Sequence, residues 1–419
     1  MLCPIFWAAA QDKNTNYTNK ALNIGDRVPD INIAHIINYK VTQANLSGFK
    51  GKLLILDFWD TWCSNCIEAL PRLDSLQHAF GDSICILPVT RQDEKTIRKF
   101  IAHNHYLHGL QITTVTGDTL LGQLFPHALL PHDVWIDAGG TVCAITDAQY
   151  INAANIRAIL HGTKPAWTVK SDSIGFDENK PVLGTGGRGG LYSALAPYIP
   201  GLPAVFGVKE DLLQHTVRTY VVNFPVLKMY MMAWDRLLYF PPNRVFLEVS
   251  DTSRYLYDQA KAYRADWNLR NSYTYESVLA ADTPDSIRLA IMRQDLDRYL
   301  SLHGRMEKRR LSCLVLSLSG TDTALFRSKG GKALNTLNAA SGPKALRNAK
   351  LSNIPWQMNQ LAGSMPVIDE THYTGKADLR LDLRSFSDIP AVKTALAPYG
   401  LQLKKAEREI EVFVLTPTH

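Results

Sequence analysis

Short apolar runs alternate with helix-period segments from Val28 to about Pro165. Runs rich in Ile, Leu and Val predict strands, and apolar residues that recur with the helical period predict helices. Asp and Gly residues at 137–140 predict a hairpin turn between the last two strands. This order predicts an α/β sheet that ends in an antiparallel pair. The strands are expected at Ile31–Ile37, Leu53–Trp59, Ile84–Val89, Ile112–Val115, Val134–Ile136 and Val142–Ile145, and the helices at Ile67–Phe80, Glu94–His103 and Ala153–His161.

The pattern changes after this region. Between Lys164 and Gly190 the sequence shows neither the apolar runs of strands nor the apolar periodicity of helices, which predicts a flexible linker. Its glycine-rich run, 184–190, lacks the Lys-Ser/Thr ending of a phosphate loop and follows no strand. From Leu191 to His419, apolar clusters and a predicted amphipathic helix over Gln294–Leu302 favour an α+β domain. We therefore expect a leader over residues 1–20, an α/β domain over 21–163, a linker over 164–190 and an α+β domain over 191–419.

Composition excludes several classes of protein. The chain has 419 residues, of which 46% are hydrophobic and 20% charged, which is the balance of a globular protein and not of a disordered or fibrous chain. The formal net charge of +6 is small for this length. The densest basic run, Lys308 to Arg310, is also short, so we expect no nucleic-acid partner.

The N-terminus has features of an export signal. Its first ten residues are apolar, lack a basic start and precede the polar run Gln11 to Asn14. Three alanines at 8–10 are typical of the cleavage end of a secretory signal peptide. We interpret the segment as a signal remnant whose start codon lies further upstream, with a frayed apolar N-terminus as the alternative. No later run approaches the roughly 20 consecutive apolar residues that a spanning helix needs, so we expect no spanning segment.

Two cysteines carry the candidate chemistry. An apolar strand, Leu53–Trp59, runs into Cys63 and Cys66, and an amphipathic helix follows. This order places Cys63 at a helix N-terminus, where unpaired backbone N–H groups and the helix dipole stabilise a thiolate. Cys63 is therefore predicted to attack a disulfide, and the more deeply buried Cys66 to resolve the resulting mixed disulfide.

Zinc binding and an inert structural disulfide are the alternatives for this pair. A zinc site needs two further ligands. Cys85 and Cys143 lie singly in apolar runs and are interpreted as core residues. The spacing of His103, His105 and His108 does not bring them to one helix face. We therefore favour a redox-active pair and expect no metal and no cofactor.

Two other activities are disfavoured. The run Asp369-Glu370-Thr371-His372 contains metal-ligating residue types, but adjacent acids with one histidine more often cap and solvate a loop. A peroxidase of the peroxiredoxin type needs its cysteine in a Pro-x-x-x-Thr-x-x-Cys context. That context is missing around Cys63.

The segment around the cysteines resembles a known family. The run from Asp57 to Cys66, DFWDTWCSNC, is similar to the thioredoxin active-site signature, especially that of exported TlpA-like or ResA-like thiol–disulfide oxidoreductases. The lead-in segments Gly25–Asp30 and Leu46–Lys52 resemble the same branch, and the similarity covers about residues 22–162. The resemblance implies a thioredoxin-like domain with a central mixed sheet flanked by helices.

The resemblance also implies roles for individual residues. Asp57 matches the buried acid that accepts or relays the proton of the second cysteine. Pro131 stands where the family has a cis-proline loop, and with Leu130 it is expected to bind the client chain. Trp62 is expected to form a hydrophobic wall beside the thiolate. The alternatives are a loop-capping role for Asp57, an ordinary turn proline at Pro131 and packing alone for Trp62.

The match is incomplete in the active-site helix. Pro71 corresponds to the proline that kinks this helix in thioredoxins. Asn65, however, replaces the proline that most of the family has before the second cysteine, and Ala69 replaces an acid that many TlpA-like proteins have. Because the residues between the cysteines tune the reduction potential, the sequence leaves open whether the protein reduces, oxidises or isomerises disulfides.

The C-terminal part has a weaker resemblance. Five segments are similar to a domain of unknown function found in envelope proteins of soil and gut bacteria, and this similarity implies a boundary and a compartment only. The segments are Pro242–Glu248, Arg309–Leu316, Lys329–Lys332, Pro366–Gly375 and Tyr399–Leu401.

We therefore expect an exported thiol–disulfide oxidoreductase of the periplasm or cell envelope. Its partners would be disulfide-containing envelope proteins and an unidentified thiol–disulfide electron donor. Because more than half of the chain lies outside the redox domain, the alternative is a ligand- or partner-binding envelope protein. In that alternative the thioredoxin-like domain serves as a redox-regulated anchor.

Overall fold

The computed structural model describes residues 20–104, 106–107, 109–184, 190–237, 240–339, 343–361 and 363–418. The predicted signal remnant, His105, His108 and residues 185–189 of the glycine-rich run lie outside the described residues. Within the described residues, no helix is both long and apolar enough to span a membrane.

The N-terminal region is built on a mixed sheet. Its strands are β1 (Asn32–Ile33), β2 (Ile36–Ile37), β3 (Ala44–Asn45), β4 (Leu53–Phe58), β5 (Ile84–Val89), β6 (Thr114–Val115), β7 (His132–Ile136) and β8 (Val142–Thr146). Its helices are α1 (Ser64–Phe80), α2 (Glu94–His103), α3 (Leu120–Leu124) and α4 (Ala153–Leu160). Among the described residues, six strands form one sheet in the order β2-β6-β5-β4-β7-β8. The pairs β4–β5 and β5–β6 are parallel, and β7–β8 is antiparallel, which confirms the predicted α/β sheet with its final hairpin.

Two predicted elements differ from the observed ones for local reasons. The predicted strand Ile31–Ile37 is interrupted, because His35 has a positive φ of 55° that extended backbone does not allow. The predicted helix Ile67–Phe80 begins earlier, at Ser64, because Cys63 serves as its N-cap. The Cys63 sulfur accepts a hydrogen bond from the Cys66 N–H at 3.3 Å.

Alternate residues of β4 pack on opposite faces of the sheet. Leu54, Leu56 and Phe58 belong to a core cluster on one face. Leu53 and Ile55 face the other way, into a cluster that contains residues of α1. Because side chains alternate along a strand, Asp57 shares the α1 side with Ile55.

The C-terminal region is an α+β domain with several sheets, as predicted. Its strands are β9 (Tyr192–Pro197), β10 (Val205–Asp211), β11 (Thr216–Pro225), β12 (Val245–Leu247), β13 (Ser272–Ala280), β14 (Leu302–Leu318), β15 (Leu334–Asn335), β16 (Lys344–Lys350), β17 (Val367–Asp369), β18 (Lys376–Leu381) and β19 (Leu401–Pro417). Its helices are α5 (Val226–Ala233), α6 (Arg264–Asn271), α7 (Asp285–Leu300), α8 (Asn353–Asn359) and α9 (Ile389–Leu396). Within the described residues, the sheets run β10-β11-β13-β9, β12-β19-β14-β17 and β15-β16-β18.

The helix predicted over Gln294–Leu302 corresponds to the second half of α7. The helix begins nine residues earlier, at Asp285, directly after Pro284. It ends at Leu300 because Ser301 adopts the left-handed conformation, with a φ of 53°. The first half of α7 is rich in apolar residues on several sides, Ile287, Leu289, Ala290, Ile291 and Met292, so a one-sided apolar pattern marks only its C-terminal half.

The two regions meet beside α4 and α6. The Tyr263 ring lies 4.2 Å from the Tyr150 ring, and its hydroxyl accepts a hydrogen bond from the Asn152 side chain at 2.9 Å. Trp167, from the predicted linker, packs on Trp135 with ring centroids 5.0 Å apart. Part of the segment 164–190 is therefore packed against the N-terminal sheet, and the exact domain boundaries stay a prediction.

Candidate redox site

Cys63 and Cys66 form a disulfide at the N-terminus of α1. The Cys63 N–H donates to the Asp60 carbonyl oxygen at 3.0 Å, which closes the turn between β4 and the helix. The Cys63 sulfur faces the first turn of α1, where it accepts the Cys66 N–H. This position supplies backbone N–H groups and the positive end of the helix dipole to a Cys63 thiolate in the reduced state.

Cys66 is more deeply buried than Cys63, as the sequence predicts. Cys66 is 0% exposed, Cys63 is 7% exposed, and the adjacent Trp62 is 70% exposed. Both sulfurs belong to an apolar cluster that includes Trp59 and Leu70. An incoming chain therefore meets Trp62 and the Cys63 side of the disulfide first, whereas Cys66 is covered by the core.

Polar contacts hold the turn that presents the disulfide. The Asp60 carboxylate accepts a hydrogen bond from the Thr90 hydroxyl at 2.7 Å. The Gln92 side-chain oxygen accepts the Thr61 N–H at 2.8 Å. These bonds connect the residues before Cys63 to the end of β5, so the sheet fixes the position of the cysteine.

The predicted cis-proline loop lies beside this site. The Leu130–Pro131 peptide bond is cis. The Leu130 side chain packs against the same apolar cluster that contains Cys63 and Cys66. The structure thus brings Leu130, Pro131 and the cysteines together at one end of the sheet.

A buried ion pair anchors the cis-proline loop. Asp172 accepts hydrogen bonds from the N–H groups of Ala128 and Leu129, both at 2.9 Å. Lys170 donates to the Leu129 carbonyl oxygen at 2.9 Å and pairs with Asp172 at 2.6 Å. Burial opposes ionisation of Asp172, but the Lys170 charge and the hydrogen bonds together hold its pKa below the ordinary value. Sequence reasoning missed both residues, because they lie in a segment without strand or helix periodicity.

Two histidines lie beside this ion pair. His132, the residue after Pro131, stacks on His127 with ring centroids 4.8 Å apart. The His132 Nδ1 lies 3.3 Å from the Lys170 ammonium. Burial, followed by the charge of Lys170, lowers the pKa of His132 to about 3. The ring is therefore neutral at physiological pH, and its Nδ1 accepts from Lys170.

Asp57 lies in the interior of the domain together with a second acid. Asp57 and Asp133 are directly opposite each other on β4 and β7, and they are 1% and 0% exposed. Burial raises the pKa of Asp57 to about 6, against the effects of its contact with Asp133 and of the Arg72 charge. Burial and the facing Asp57 raise the pKa of Asp133 well above its ordinary value. Asp133 was missed in the sequence, although an acid within the apolar run that follows Pro131 is an available signal.

The other cysteines in the part of the chain that the structure describes have the surroundings of core residues. Cys85, Cys143 and Cys313 are free. Burial raises the pKa of the Cys85 and Cys143 thiols to about 11, so both thiols are protonated and unreactive at neutral pH.

The acidic run near residue 370 is occupied by protein contacts. Asp369 accepts hydrogen bonds from the N–H and hydroxyl of Thr371, and Glu370 binds Arg408 at 2.6 and 2.9 Å. These contacts fit the loop-capping interpretation. Within the described ranges, no group of three or more His, Cys, Asp or Glu residues is arranged to hold a metal ion.

The sheet, the cysteine pair at a helix N-terminus and the cis-proline loop together define a thioredoxin-like redox domain. Residues 24–143 match the AhpC/TSA family model, which confirms the thioredoxin-like fold of this region. The family model ends at residue 143 and leaves the C-terminal domain uncharacterised.

Sequence relatives narrow the resemblance to thiol–disulfide oxidoreductases. The thioredoxin-like protein YneN of Bacillus subtilis is 30% identical over 90 residues, which are 20% of this chain and 51% of that protein. The thiol-disulfide oxidoreductase ResA of Oceanobacillus iheyensis is 35% identical over 65 residues, 15% of this chain and 33% of that protein. The chain thus spans about half the length of the first relative and a third of the second. These matches confirm the resemblance to the ResA-like branch for the N-terminal domain.

Solved structures of similar proteins match about a third of the chain. The thioredoxin domain of a thiol-disulfide oxidoreductase from Bacteroides vulgatus is 23% identical, with 34% of this chain and 98% of that chain covered and a TM-score of 0.27. A putative thiol:disulfide interchange protein DsbE from Chlorobium tepidum is 22% identical, with 34% and 95% covered and a TM-score of 0.27.

Proposed function

We propose that the protein exchanges disulfides with client proteins through Cys63 and Cys66. The observation that carries this proposal is the disulfide between the N-cap residue of α1 and a fully buried cysteine in its first turn. Such a pair combines a nucleophile at the helix N-terminus, the less buried of the two sulfurs, with a second thiol held in reach of the first.

The chemistry follows from the positions of the two sulfurs. In the reducing direction, the Cys63 thiolate attacks a client disulfide, forms a mixed disulfide and releases one client thiolate. The Cys66 thiolate then attacks the Cys63 sulfur, breaks the mixed disulfide and releases the second client thiolate. The Cys63–Cys66 disulfide forms in this step, and a thiol–disulfide electron donor must reduce it for the next cycle. The reverse sequence oxidises a client with the same atoms.

The residues around Cys63 and Cys66 have two proposed roles, client binding and proton transfer. We infer that Trp62 and the Leu130–Pro131 backbone bind the client chain, because Trp62 is exposed next to Cys63 and Leu130 packs against the cluster that contains Cys63. We infer that Asp57 accepts the Cys66 proton, because it lies inside the domain on the side of the sheet that α1 covers.

We infer an exported location, in the periplasm or cell envelope, with disulfide-containing envelope proteins as clients. The ResA-like resemblance and the apolar N-terminal segment with its three alanines support this location. The compartment can be measured by fractionating cells and by sequencing the N-terminus of the purified mature protein. A mature chain that begins at Met1 and stays in the cytoplasm would contradict this assignment.

The test of the redox function uses the full-length protein. We expect it to catalyse insulin reduction by dithiothreitol, and we expect Cys66→Ser to accumulate mixed disulfides that mass spectrometry identifies. Cys63→Ser should trap none, since the attacking sulfur is missing. Cys143→Ser is the matched control, because this free thiol lies outside the pair, and it should behave as the wild type. No insulin reduction together with no trapped client would overturn the proposal.

A peroxidase activity is not favoured by the residues around Cys63. The proline and threonine of the peroxidatic context would fall at positions 56 and 60, which hold Leu56 and Asp60. Appreciable hydrogen peroxide consumption by the purified protein would contradict this conclusion.

A second candidate function rests on the C-terminal domain. β10 is an edge strand of its sheet, and apolar residues on it and at its hairpin are exposed: Phe206 by 53%, Val208 by 48%, Leu212 by 78% and Leu213 by 95%. Exposed apolar residues that cluster at a sheet edge favour a partner-binding surface.

This second function can be separated from the first by substitution. The double variant Phe206→Asp and Leu213→Asp should lose specific envelope partners in pull-downs while retaining insulin reduction. Ile287→Asp is the matched control, because Ile287 is 49% exposed on α7, a helix that contacts β9 at the other edge of this sheet. Equal partner recovery from both variants would contradict the proposed surface.

A further inference from the structure

The two buried acids are paired by the register of the sheet. Asp57 is opposite Asp133, just as Ile55 is opposite Trp135 two residues earlier along β4. Ile55 and Trp135 belong to the cluster that contains Ala69 of α1, so both acids also lie on the α1 side of the sheet. Directly opposite residues place their Cβ atoms about 5 Å apart, which brings the two carboxyl groups into contact.

No other group neutralises this pair by hydrogen bonding. Among the described residues, no N–H or O–H of a third residue donates to the carboxyl oxygens of Asp57 or Asp133. Two ionised carboxylates at this position would be desolvated and would repel each other. Uptake of one proton converts the repulsion into a hydrogen bond between the carboxyl groups.

The charged and titratable groups that face the pair come from three elements. Arg72 of α1 is a cation that acts on both acids, but its guanidinium already donates to the backbone carbonyl of Ala148 at 2.8 Å and to that of Ile151. Asp147, after β8, adds negative charge, and Lys170 adds positive charge from the segment beyond α4. Cys66 is the titratable group in the first turn of α1. None of these groups replaces the shared proton, because none donates to the pair.

We propose that Asp57 and Asp133 act as one proton-sharing pair behind Cys66, with Asp133 as a positioning residue that works through Asp57. Before resolution of the mixed disulfide both carboxyl groups are ionised, and the proton that the pair takes up from Cys66 becomes the one that it shares. As Cys66 transfers its proton to the Asp57 carboxylate, the Cys66 sulfur bonds to the Cys63 sulfur and the bond between Cys63 and the client sulfur breaks. The client sulfur leaves with the electron pair, and the two carboxyl groups share the transferred proton until it returns to solvent.

Asp133 determines how well Asp57 accepts this proton. The facing carboxyl group makes full ionisation of the pair costly, so the pair takes up a proton at a higher pH than an isolated acid does. An asparagine at 133 carries no second charge and donates an N–H to the Asp57 carboxylate. Asp133→Asn therefore stabilises ionised Asp57 and weakens it as a base.

This inference rests on the proposed redox function, and its test uses the full-length protein. The dithiol–disulfide equilibrium against glutathione is measured between pH 4.5 and pH 9 for the wild type, Asp57→Asn, Asp133→Asn and the double variant. We expect a pH breakpoint in the wild type that Asp133→Asn moves down by about one pH unit, a tenfold change in proton affinity. Asp57→Asn should abolish the breakpoint, and the double variant should match Asp57→Asn. Independent, additive effects of the two substitutions would overturn the inference.

A matched control separates positioning from general damage. Asp118 is also a buried acid of this domain, 8% exposed, and it accepts the N–H groups of Leu121 and Gly122. Asp118→Asn should reduce stability without moving the pH breakpoint. If Asp133→Asn does not fold, Asp133→Ser replaces it, and it should likewise move the breakpoint.

A titration of the unmodified protein provides the independent measurement. Carboxyl carbon NMR signals of labelled aspartate in the oxidised protein should show Asp57 and Asp133 titrating together in two widely separated steps. Two independent single-step titrations would overturn the pair. Failure of insulin reduction with an intact two-step titration would instead remove the redox function and leave the pair in place.

Discussion

Replacement of Asp57 by asparagine is expected to stabilise the N-terminal domain at neutral pH and to do little at low pH. In the folded protein, burial raises the pKa of Asp57 from 3.8 to about 6. The native state therefore binds more protons than the unfolded chain between these two values. Stability from this group is present below pH 4 and is lost as the pH rises through 6. An asparagine is neutral throughout and avoids that loss.

The magnitude follows from the difference between the two pKa values. Since one pKa unit corresponds to about 1.4 kcal/mol, the ionisation of buried Asp57 costs about 3 kcal/mol above pH 7 and less than about 1 kcal/mol at pH 4. We expect Asp57→Asn to be more stable than the wild type by a margin that grows by about 2 kcal/mol between pH 4 and pH 8. This comparison between two pH values removes any pH-independent effect of the amide.

The assay must report on one domain, because two domains need not unfold together. Hydrogen exchange of β4 and α1 peptides, measured by mass spectrometry in increasing urea, gives the local free energy of unfolding of the oxidised protein. Asp82→Asn is the control, since Asp82 is an exposed acid paired with Lys52 and should show no gain at high pH. An Asp57→Asn effect that is equal at pH 4 and pH 8 would refute the reasoning.

Three further substitutions test other contacts. Asp172→Ala removes the acceptor of the Leu129 N–H beside the cis-proline. We therefore expect the KM for a disulfide client to rise at least fivefold, with a smaller change in kcat. An unchanged KM would contradict this role. Arg218→Met leaves Glu276, which is 0% exposed, without its ionic partner. It should lower the free energy of unfolding of the C-terminal domain, measured by urea denaturation, by about 3–5 kcal/mol. An unchanged free energy of unfolding would contradict the burial argument. Gly304→Ala would place a Cβ 2.5 Å from the ring of Tyr230. It should lower the Tm by an amount equivalent to about 1–3 kcal/mol. An unchanged Tm would show that the ring moves freely.

Each of these substitutions has a matched control in the chain. Asp177→Ala removes an acid whose side chain is 40% exposed and should leave the KM unchanged. Arg310→Met removes an arginine that is 78% exposed and whose partner Glu407 is also exposed, so it should have little effect on stability. Gly320→Ala adds a Cβ with no atom within 4 Å and should leave the Tm near that of the wild type.

The parts of the site that depend on local sequence were predictable. A strand, two cysteines two residues apart and an amphipathic helix place Cys63 at the start of α1, because each step uses neighbouring residues. Leu130 and Pro131 were found through the resemblance, and the structure places them against the cysteine cluster.

The parts of the site that depend on strand register or on contacts between residues far apart in the sequence were not predictable. Asp133 becomes important only because the β4–β7 register sets it opposite Asp57. Asp172 reaches the loop across 43 residues of sequence to bind Leu129, and no periodic pattern encodes that contact. The same limit applies to the C-terminal domain, where β14 and β19 pair along their length from positions far apart in the chain.

The ion pair of Lys170 and Asp172 has a practical consequence for dissecting this protein. A fragment that ends at residue 163, where the sequence pattern places the end of the α/β domain, contains both cysteines and the cis-proline. It leaves the N–H groups of Ala128 and Leu129 without their acceptor and exposes the Trp135 face that Trp167 covers. The smallest fragment expected to retain native client affinity therefore extends beyond Asp172, and a weak activity of the shorter fragment would reflect the position of the cut.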